Sequence, residues 1–309
     1  MSRDPLVSIV IPTYQRPEYF AMALESVLAQ TYKNLDIFIT DNSHNEDTKN
    51  IVQKYLGDER IHYEHHPEFD AVGNWQRAFD YNNPQAEYVN FLMDDDVFMP
   101  NKIKTMLDLY NSNTGISLVT SYRGLIDTEA RVLPDREFNK RLSETPIRYS
   151  GKNAGKTMLS NLANFIGEPT TVLVCKKYLK DNYYGWNHLP MDRRISDFPC
   201  WLHLLTQGDM IYWPEPLSFM RIHDGQQQRS VECQYSCFLC WAEEIMYAWN
   251  QKLFFDTEEE YRQSLNRCLG YSGTFLYQQY SSEFNCFASM KMERIMRNIL
   301  DEIIGLLKK

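Results

Sequence analysis

Short apolar segments rich in β-favouring residues alternate with helical segments along the first 120 residues of the chain. The predicted strands cover residues 6–11, 35–40, 60–64, 88–93 and 116–121. The predicted helices cover residues 17–29, 46–55, 71–81 and 100–110. Strands that alternate with helices in this way form a mostly parallel sheet with right-handed crossovers, because each helix carries the chain back across the sheet. The expected fold class is therefore α/β, with one mostly parallel sheet flanked by helices.

The pattern changes twice further along the chain. Residues 124–149 are polar and weakly patterned, which predicts a long excursion over the surface. Helices are then predicted at 152–162 and 195–207, and strands at 170–174, 210–213 and 217–222. After residue 230 only helical segments follow, at 232–253, 257–280 and 283–307. We therefore expect a domain over residues 1–229, with halves at 1–121 and 122–229, and a helical C-terminal region over 230–309.

The last predicted helix carries an apolar stripe. Ile295, Ile299 and Ile303 are spaced four residues apart, which places them on one helix face. This face fits packing against neighbouring helices, a homo-oligomer interface or, with the lysine and arginine residues nearby, peripheral contact with a membrane surface. Of the two intermolecular options, we expect the homo-oligomer interface, formed through the C-terminal helices.

Charge and composition limit the class of protein. The net charge of −9 argues against a nucleic-acid partner, although it leaves room for a local basic pocket. The sequence has no secretory signal and no apolar run long enough for a transmembrane segment. Seven cysteines without an export signal fit a reducing compartment. We therefore expect a cytoplasmic protein.

Three consecutive aspartates follow the predicted strand at residues 88–93. Asp94, Asp95 and Asp96 would repel one another at the end of a buried strand, unless a cation or a ligand hydroxyl group compensated their charge. Oxygen ligands of this kind suit Mg²⁺ or Mn²⁺, which usually share their coordination shell with substrate phosphates. The alternative is an acidic turn that caps the helix beginning near Pro100.

The loops after the first two strands carry further candidate residues. Neither a Gly-x-Gly-x-x-Gly pattern nor a Walker loop follows the first strand. Instead, Tyr14 could stack on a base and Arg16 could pair with a phosphate. Asp41, after the second strand, could accept a hydrogen bond from a base or a ribose hydroxyl, or could cap the following helix. In a parallel sheet these loops share one edge with the acidic triplet, and ligands bind at that edge.

Four ordered segments resemble family 2 glycosyltransferases. They are residues 7–16 (Val-Ser-Ile-Val-Ile-Pro-Thr-Tyr-Gln-Arg), 23–32 with 40–43, 73–78 (Gly-Asn-Trp-Gln-Arg-Ala), and 87–96, which ends in the acidic triplet. The resemblance is strong over about residues 6–110 and patchy to about residue 230. It implies a GT-A type, Rossmann-like fold and inverting, metal-dependent transfer from a nucleotide sugar.

The resemblance also implies roles for individual residues. The donor nucleotide-sugar would be bound by residues of the first half: Pro12, Thr13, Tyr14, Arg16, Asp41, Asn74, Arg77, Asp94 and Asp95. The metal, Mn²⁺ or Mg²⁺, would be held by Asp96 and His223. Arg229 would provide a counter-charge for the diphosphate, although the run from 226 to 230 also fits a linker.

Inverting transfer requires a carboxylate that accepts the proton of the acceptor hydroxyl group. The resemblance places this base at Asp197, at the start of the predicted helix, with Asp192 as the second candidate. This sequence has Ser196 where relatives often have glutamate. Asp197 also fits a helix N-cap ahead of Pro199.

The expected function is transfer of a hexose or N-acetylhexosamine from a UDP-sugar to a hydroxyl group of a glycan or glycoprotein acceptor, such as a surface polysaccharide. The transfer should be non-processive, because the Gln-x-x-Arg-Trp motif of processive synthases does not follow His223. Two alternatives remain. One is a non-catalytic module that binds sugar nucleotides. The other is a nucleotidyltransferase that forms sugar nucleotides, which would need a glycine-rich, basic first loop.

Overall fold

The computed structural model describes residues 4–179, 197–224 and 231–280, together with residues 297, 301 and 305. The chain divides into two compact units. The first comprises Met1–Gly151 and Phe165–Asp224, and the second comprises Lys152–Asn164 and Gly225–Lys309. Residues 152–164, which the sequence analysis assigned to the 1–229 domain, thus group with the C-terminal helices. The predicted domain boundary itself stays a prediction.

A ten-stranded sheet forms the first unit. Its strands are β1 (Leu6–Thr13), β2 (Leu35–Asp41), β3 (Ile61–His65), β4 (Ala86–Phe91), β5 (Val97–Phe98), β6 (Ile116–Ile126), β7 (Val132–Leu133), β8 (Ile147–Tyr149), β9 (Leu173–Cys175) and β10 (Asp209–Arg221). The strand order is β3-β2-β1-β4-β9-β6-β10-β5, with β7 beside β6 and β8 beside β10. The core strands β1–β4 are parallel, and β10 is parallel to β6. The predicted α/β class is confirmed, and the longest pairings are parallel as expected, whereas the short strands β5, β7, β8 and β9 pair antiparallel with their neighbours.

Helices α1 (Pro17–Leu28), α2 (Asp47–Val52), α3 (Ala71–Asp80) and α4 (Lys102–Asn111) connect the strands of the first half, and α6 (Asp197–Gln207) precedes β10. Pro17 opens α1 at a position where its missing N–H group is not needed. Asp70 caps α3 by accepting the N–H group of Gly73 at 2.7 Å. The apolar faces of these helices cover strands whose residues are almost all buried, such as β2. This core fixes the carboxyl ends of β1, β2 and β4 at one edge.

Three sequence predictions for residues 116–222 were wrong in detail. β6 continues to Ile126 rather than ending at residue 121, and β7 and β8 add to the sheet within the expected surface excursion. β10 is one strand, where two short strands were predicted. Its pairing with β6 shifts register between Trp213 and Ser218, where Pro214 and Pro216 lack the N–H groups that a ladder requires.

The second unit contains α5 (Gly151–Asn161, of which residues 152–161 fall in this unit), α7 (Val231–Asn250) and α8 (Glu258–Tyr280). A Cβ atom at Gly155 would lie 2.2 Å from the ring of Phe254, so glycine permits this close contact. Lys156 also pairs with Asp256 and Glu260 across the same junction. These contacts explain why α5 groups with the C-terminal helices.

The helix predicted at 283–307 lies almost entirely outside the described residues, so the homo-oligomer interface and the membrane-surface contact stay predictions. None of the helices in the described part of the chain has an apolar stretch long enough to cross a membrane.

Candidate active site

The acidic triplet lies just past the carboxyl end of β4 and is bonded to the loop after β1. Asp94 accepts hydrogen bonds from the Thr13 hydroxyl at 3.0 Å and from the Tyr14 N–H group at 3.2 Å. The Arg16 guanidinium lies 3.3 Å from Asp94 and 3.1 Å from Asp95. Pro12 is buried in β1 directly before this loop. Two predicted motifs that are 80 residues apart in sequence thus form one cluster.

The predicted His223 and a residue at the end of β10 reach the same cluster. His223 Nε2 lies 2.9 Å from a carboxylate oxygen of Asp95. Arg221, which is fully buried, donates its backbone N–H group to Asp96 at 3.0 Å and its Nε to the Asp95 carbonyl at 2.8 Å. The sequence analysis did not single out Arg221. Its position two residues before His223, at the end of a strand, was the available signal.

Burial makes these carboxylates costly in their charged form. Burial and the neighbouring Asp95 charge raise the pKa of Asp94 to about 7, although Arg16 opposes the shift. The pKa of Asp96 is raised well above its usual range by burial and by the charges of Asp95 and Glu168. A bound divalent cation would reverse this effect, because it favours the charged carboxylates.

The donor atoms at this edge suit Mg²⁺ or Mn²⁺, since they are carboxylate oxygens and one imidazole nitrogen. Within the described residues, no three Asp, Glu, His or Cys side chains already form a metal-binding cluster. Ions of this kind usually complete their coordination shell with ligand phosphate oxygens and water. Asp96 and His223 stay the predicted protein ligands.

The second predicted loop forms a neighbouring polar pocket after β2. Asp41 is fully buried and accepts hydrogen bonds from the Ser43 N–H group and the Tyr63 hydroxyl, both at 2.8 Å. Asn74, on α3, accepts from Thr40 at 2.7 Å and donates to the Thr13 carbonyl at 3.3 Å. Tyr14 is 44% exposed and available for stacking.

Arg77 is engaged with protein groups. Its guanidinium makes two hydrogen bonds of 2.7 Å to Glu64 and lies 4.6 Å from the centre of the Phe38 ring. A ligand phosphate would have to compete with this bidentate pair. Its predicted place beside the nucleotide stays a prediction.

Asp197 is the first residue of α6, as predicted for the base. Its carboxylate accepts the N–H group of Phe198 at 3.0 Å, and burial together with the nearby Glu168 charge raises its pKa to about 7. The acidic residue whose charge acts on Asp197 is Glu168, from a different part of the chain. The second candidate, Asp192, lies outside the described residues, as does Arg229.

A turn over residues 166–171 connects the acidic triplet with the region of Asp197. The Thr170 hydroxyl donates to Asp96 at 2.6 Å, and Trp201 of α6 donates to the Gly167 carbonyl at 2.9 Å. Two buried side chains hold the turn from the sheet side: Asn90 donates to the Pro169 carbonyl at 3.0 Å, and Lys102 donates to the Thr171 carbonyl at 3.0 Å.

The turn depends on Gly167, whose φ of +108° is unfavourable for other residues. A Cβ atom there would also lie 2.6 Å from both Arg123 and Thr171. The sequence analysis read residues 170–174 as a strand and missed this turn, because its role depends on contacts with distant residues.

Burial affects the charge of Lys102 as well. The side chain is fully buried, and burial lowers the pKa of its ammonium group to about 7, whereas the Glu168 charge opposes the shift. The buried ammonium group remains partnered by the Thr171 carbonyl. Lys102 therefore supports the turn without facing the acidic triplet.

Comparison with known proteins gives the same assignment from independent data. The glycosyl transferase family 2 model matches residues 8–182, more than half of the chain. An uncharacterized glycosyltransferase of Rickettsia typhi is 29% identical over 234 residues, which cover 72% of this chain and 66% of that protein. A Campylobacter jejuni protein named GalNAc(5)-diNAcBac-PP-undecaprenol beta-1,3-glucosyltransferase is 27% identical over 186 residues, 59% of this chain and 57% of that protein.

Among solved structures, TarS 1-349 of S. aureus in complex with UDP-GlcNAc superposes with a TM-score of 0.63 and 18% identity, over 97% of this chain and 80% of that chain. At this identity the likeness concerns the fold, which is GT-A. The chain spans less than two thirds of the length of the curated relatives named above. The matched family model, the fold and the arrangement of the acidic triplet agree, and the chain belongs to glycosyl transferase family 2.

Proposed function

We propose that the chain transfers a hexose or N-acetylhexosamine from a UDP-sugar to a hydroxyl group of a glycan acceptor, with inversion at the anomeric carbon. The TarS complex with UDP-GlcNAc supports the donor class. The C. jejuni relative is named as a glucosyltransferase, which supports transfer of a hexose to a glycan.

One observation carries this proposal. The acidic triplet and a half-buried aspartate at a helix start, Asp197, both adjoin the turn at residues 166–171. A donor bound by the triplet through its diphosphate would therefore present its sugar toward Asp197. A non-catalytic binding module would not need a second carboxylate with a raised pKa beside the first cluster.

Asp197 acts as the general base in this mechanism. A base with a pKa near neutrality can accept a proton at physiological pH and is still ionised in a useful fraction of molecules. As the acceptor oxygen forms its bond to the anomeric carbon, its proton passes to Asp197, and the bond from that carbon to the diphosphate oxygen breaks. UDP leaves, and no covalent enzyme intermediate forms.

The leaving diphosphate gains negative charge, which the protein must stabilise. Arg16, beside Asp94 and Asp95, is a cation within reach of this region. When bound by Asp96 and His223, a Mn²⁺ or Mg²⁺ ion would supply further positive charge to the diphosphate oxygens. The mutual repulsion of the buried triplet supports such an ion.

The nucleoside would lie between Tyr14 and the Asp41 pocket. Tyr14 offers an exposed ring for stacking, and Asp41 is oriented by Ser43 and Tyr63 to accept from a base N–H group. Asp94 would hold a ribose hydroxyl. Asn74 would support the loop after β1 through the Thr13 carbonyl.

The compartment and the acceptor belong to the proposal as well. The cysteine content supports a cytoplasmic site of action, and the predicted C-terminal stripe supports a homo-oligomer. The acceptor is a surface polysaccharide or a glycoprotein glycan.

A donor screen tests the proposal. The protein is incubated with Mn²⁺ and, separately, UDP-glucose, UDP-galactose, UDP-GlcNAc, UDP-GalNAc and GDP-mannose, and release of nucleoside diphosphate is measured before and after addition of glycan acceptors. We expect slow release from one UDP-sugar that acceptor accelerates. Binding without any release would favour the non-catalytic module, and formation of pyrophosphate from UTP and a sugar phosphate would favour the nucleotidyltransferase.

A further inference from the structure

Glu168 is a buried carboxylate whose charge acts on both Asp96 and Asp197, and its bonding is incomplete. The residue is 7% exposed. Its Oε2 atom lies 3.0 Å from Arg123 Nε, whereas Oε1 is buried without a hydrogen-bond partner within the described part of the chain. A buried acceptor left in this state costs about 1–3 kcal/mol, so such atoms usually face a ligand or a water.

The position of Glu168 limits the identity of that ligand. The residue lies two positions before Thr170, which bonds Asp96, and its charge acts on both Asp96 and Asp197. In the proposed function the transferred sugar occupies this space, because its diphosphate is at the triplet and its anomeric carbon faces the base. A carboxylate would repel the diphosphate but would attract the hydroxyl groups of the sugar ring.

The surroundings of Glu168 hold its carboxylate in place. Arg123 pairs with it and is itself fixed by the Phe138 carbonyl at 3.1 Å, with its guanidinium 5.6 Å from the centre of the Phe138 ring. Lys102, the other nearby cation, donates instead to the Thr171 carbonyl. The ion pair with Arg123 restrains the Oε2 side of the carboxylate, although Arg123 Nε makes no hydrogen bond within the described part of the chain.

We propose that Glu168 Oε1 accepts a hydrogen bond from a hydroxyl group of the donor sugar, and that Glu168 is the residue through which the enzyme distinguishes a UDP-sugar from UDP. This inference rests on the proposed function, since it requires a UDP-sugar donor. A hydrogen bond to a charged acceptor contributes about 1.5–3 kcal/mol, equivalent to a factor of about 10–150 in affinity.

The test is calorimetric titration with UDP, UDP-GlcNAc, UDP-glucose and UDP-galactose in buffer with Mn²⁺. Wild type should bind one of these UDP-sugars. Glu168→Gln should lower the affinity for that UDP-sugar by about 10–100-fold and should change the affinity for UDP by less than about twofold. Glu215→Gln, at an exposed site on β10, is the matched control and should change neither affinity. The unchanged affinity for UDP also verifies that the variant is folded.

Deoxy analogues of the bound UDP-sugar identify the hydroxyl group. Removal of the ring hydroxyl group that contacts Glu168 should lower the affinity of wild type by the same factor as the Glu168→Gln substitution. It should leave the affinity of the Glu168→Gln variant almost unchanged, because the two partners of one hydrogen bond are coupled. If Glu168→Gln does not fold, Glu168→Asp retains the charge that Arg123 needs and withdraws the carboxylate by one methylene group. It should show the same selective loss for the UDP-sugar.

Two outcomes overturn the inference, and they differ from failure of the proposed function. If UDP binds and the Glu168 variants lower the affinities for UDP and UDP-sugar equally, or lower neither, Glu168 does not contact the sugar. If wild type binds neither UDP nor any UDP-sugar, the donor class itself is wrong, and this inference fails with it.

Discussion

A single buried aspartate, Asp36, and the acidic triplet lie at opposite ends of the parallel part of the sheet, on β2 and after β4, and their surroundings differ. Asp36, near the start of β2, accepts hydrogen bonds from Ser8 at 2.6 Å and Tyr81 at 2.8 Å, and lies 3.3 Å from His62. The triplet after β4 instead places carboxylates beside one another, and the pKa values of Asp94 and Asp96 are raised. Burial alone therefore does not identify a functional aspartate.

The two sites differ in the donors and cations that surround their carboxylates. Asp36 has protein donors at both carboxylate oxygens, so it contributes to the stability of the sheet. The triplet has Arg16 at the carboxylates of Asp94 and Asp95 and Arg221 at the Asp95 carbonyl, yet the pKa values of Asp94 and Asp96 are still raised, so these cations do not fully offset the burial of adjacent carboxylates. This imbalance costs stability and favours a cation or a ligand. The four predictions below test the contrast.

The largest effect is expected at Asp197. Asp197→Asn should reduce the rate of transfer by about 10²–10⁴-fold, because the amide cannot accept the proton of the acceptor. Affinity for UDP should stay within about twofold of wild type. The measurement is turnover with the donor and acceptor identified in the screen, with the exposed Asp108→Asn as the control. Turnover near the wild-type value would remove Asp197 from its role.

The next effect concerns Asp36 and Asp94. Asp36→Ala should lower the free energy of unfolding by about 2–4 kcal/mol, since the buried hydroxyl groups of Ser8 and Tyr81 lose their acceptor. Asp94→Ala should change this free energy less, because it also removes a buried charge, but should weaken UDP binding by about tenfold or more. Urea unfolding measures the free energy of unfolding of the two variants, and titration with UDP measures their affinity for UDP. Equal losses of stability in the two variants would contradict the contrast.

The difference in stability between wild type and Asp197→Asn should depend on pH, because only wild type carries the titrating carboxyl group. The pKa of Asp197 is raised in the folded state, so the folded protein binds this proton more tightly and loses stability as pH rises from about 4 to about 7. At pH 8 the variant should be more stable than wild type by on the order of 1–3 kcal/mol, and the difference should shrink toward pH 5. Urea unfolding of both proteins at pH 5 and pH 8 measures this difference in free energy. A difference that does not change with pH would show that titration of Asp197 is not its cause.

The smallest effect concerns the predicted metal. With UDP present, Mn²⁺ at ten times its dissociation constant should stabilise wild type by about 1.4 kcal/mol, seen as a higher Tm. Addition of EDTA should reverse the shift. Asp96→Asn should show a smaller shift or none, whereas Asp36→Asn should keep it. Shifts of the same size in wild type and Asp96→Asn would exclude Asp96 as a ligand.

Much of the first half could be predicted from the sequence, because its signals are local. β1, β2 and β4 are short apolar runs, and the residues after them, such as Thr13 and Asp94, are determined by strand ends and by the direction of a parallel sheet. The family resemblance added roles to residues that these rules had already brought to one edge. The contact between the loops after β1 and β4 agrees with that expectation.

The site beyond β6 was less predictable, because its contacts join distant parts of the chain. Glu168 faces Arg123, 45 positions earlier in the chain, and the turn that carries it was read as part of a strand. No local pattern marks a carboxylate whose second oxygen is unsatisfied, since that property depends on every neighbour. The same limit applies to Arg221, whose backbone and side chain bond two different aspartates.

Gly167 makes this part of the protein sensitive to a very small change. Its backbone conformation and the 2.6 Å spacing to Arg123 leave no room for even one added methyl group. A bulkier residue at this position would have to adopt a strained backbone conformation and displace the Arg123 and Thr171 side chains, so a change far smaller than the loss of a charged group would disturb the turn that carries Glu168 and Thr170.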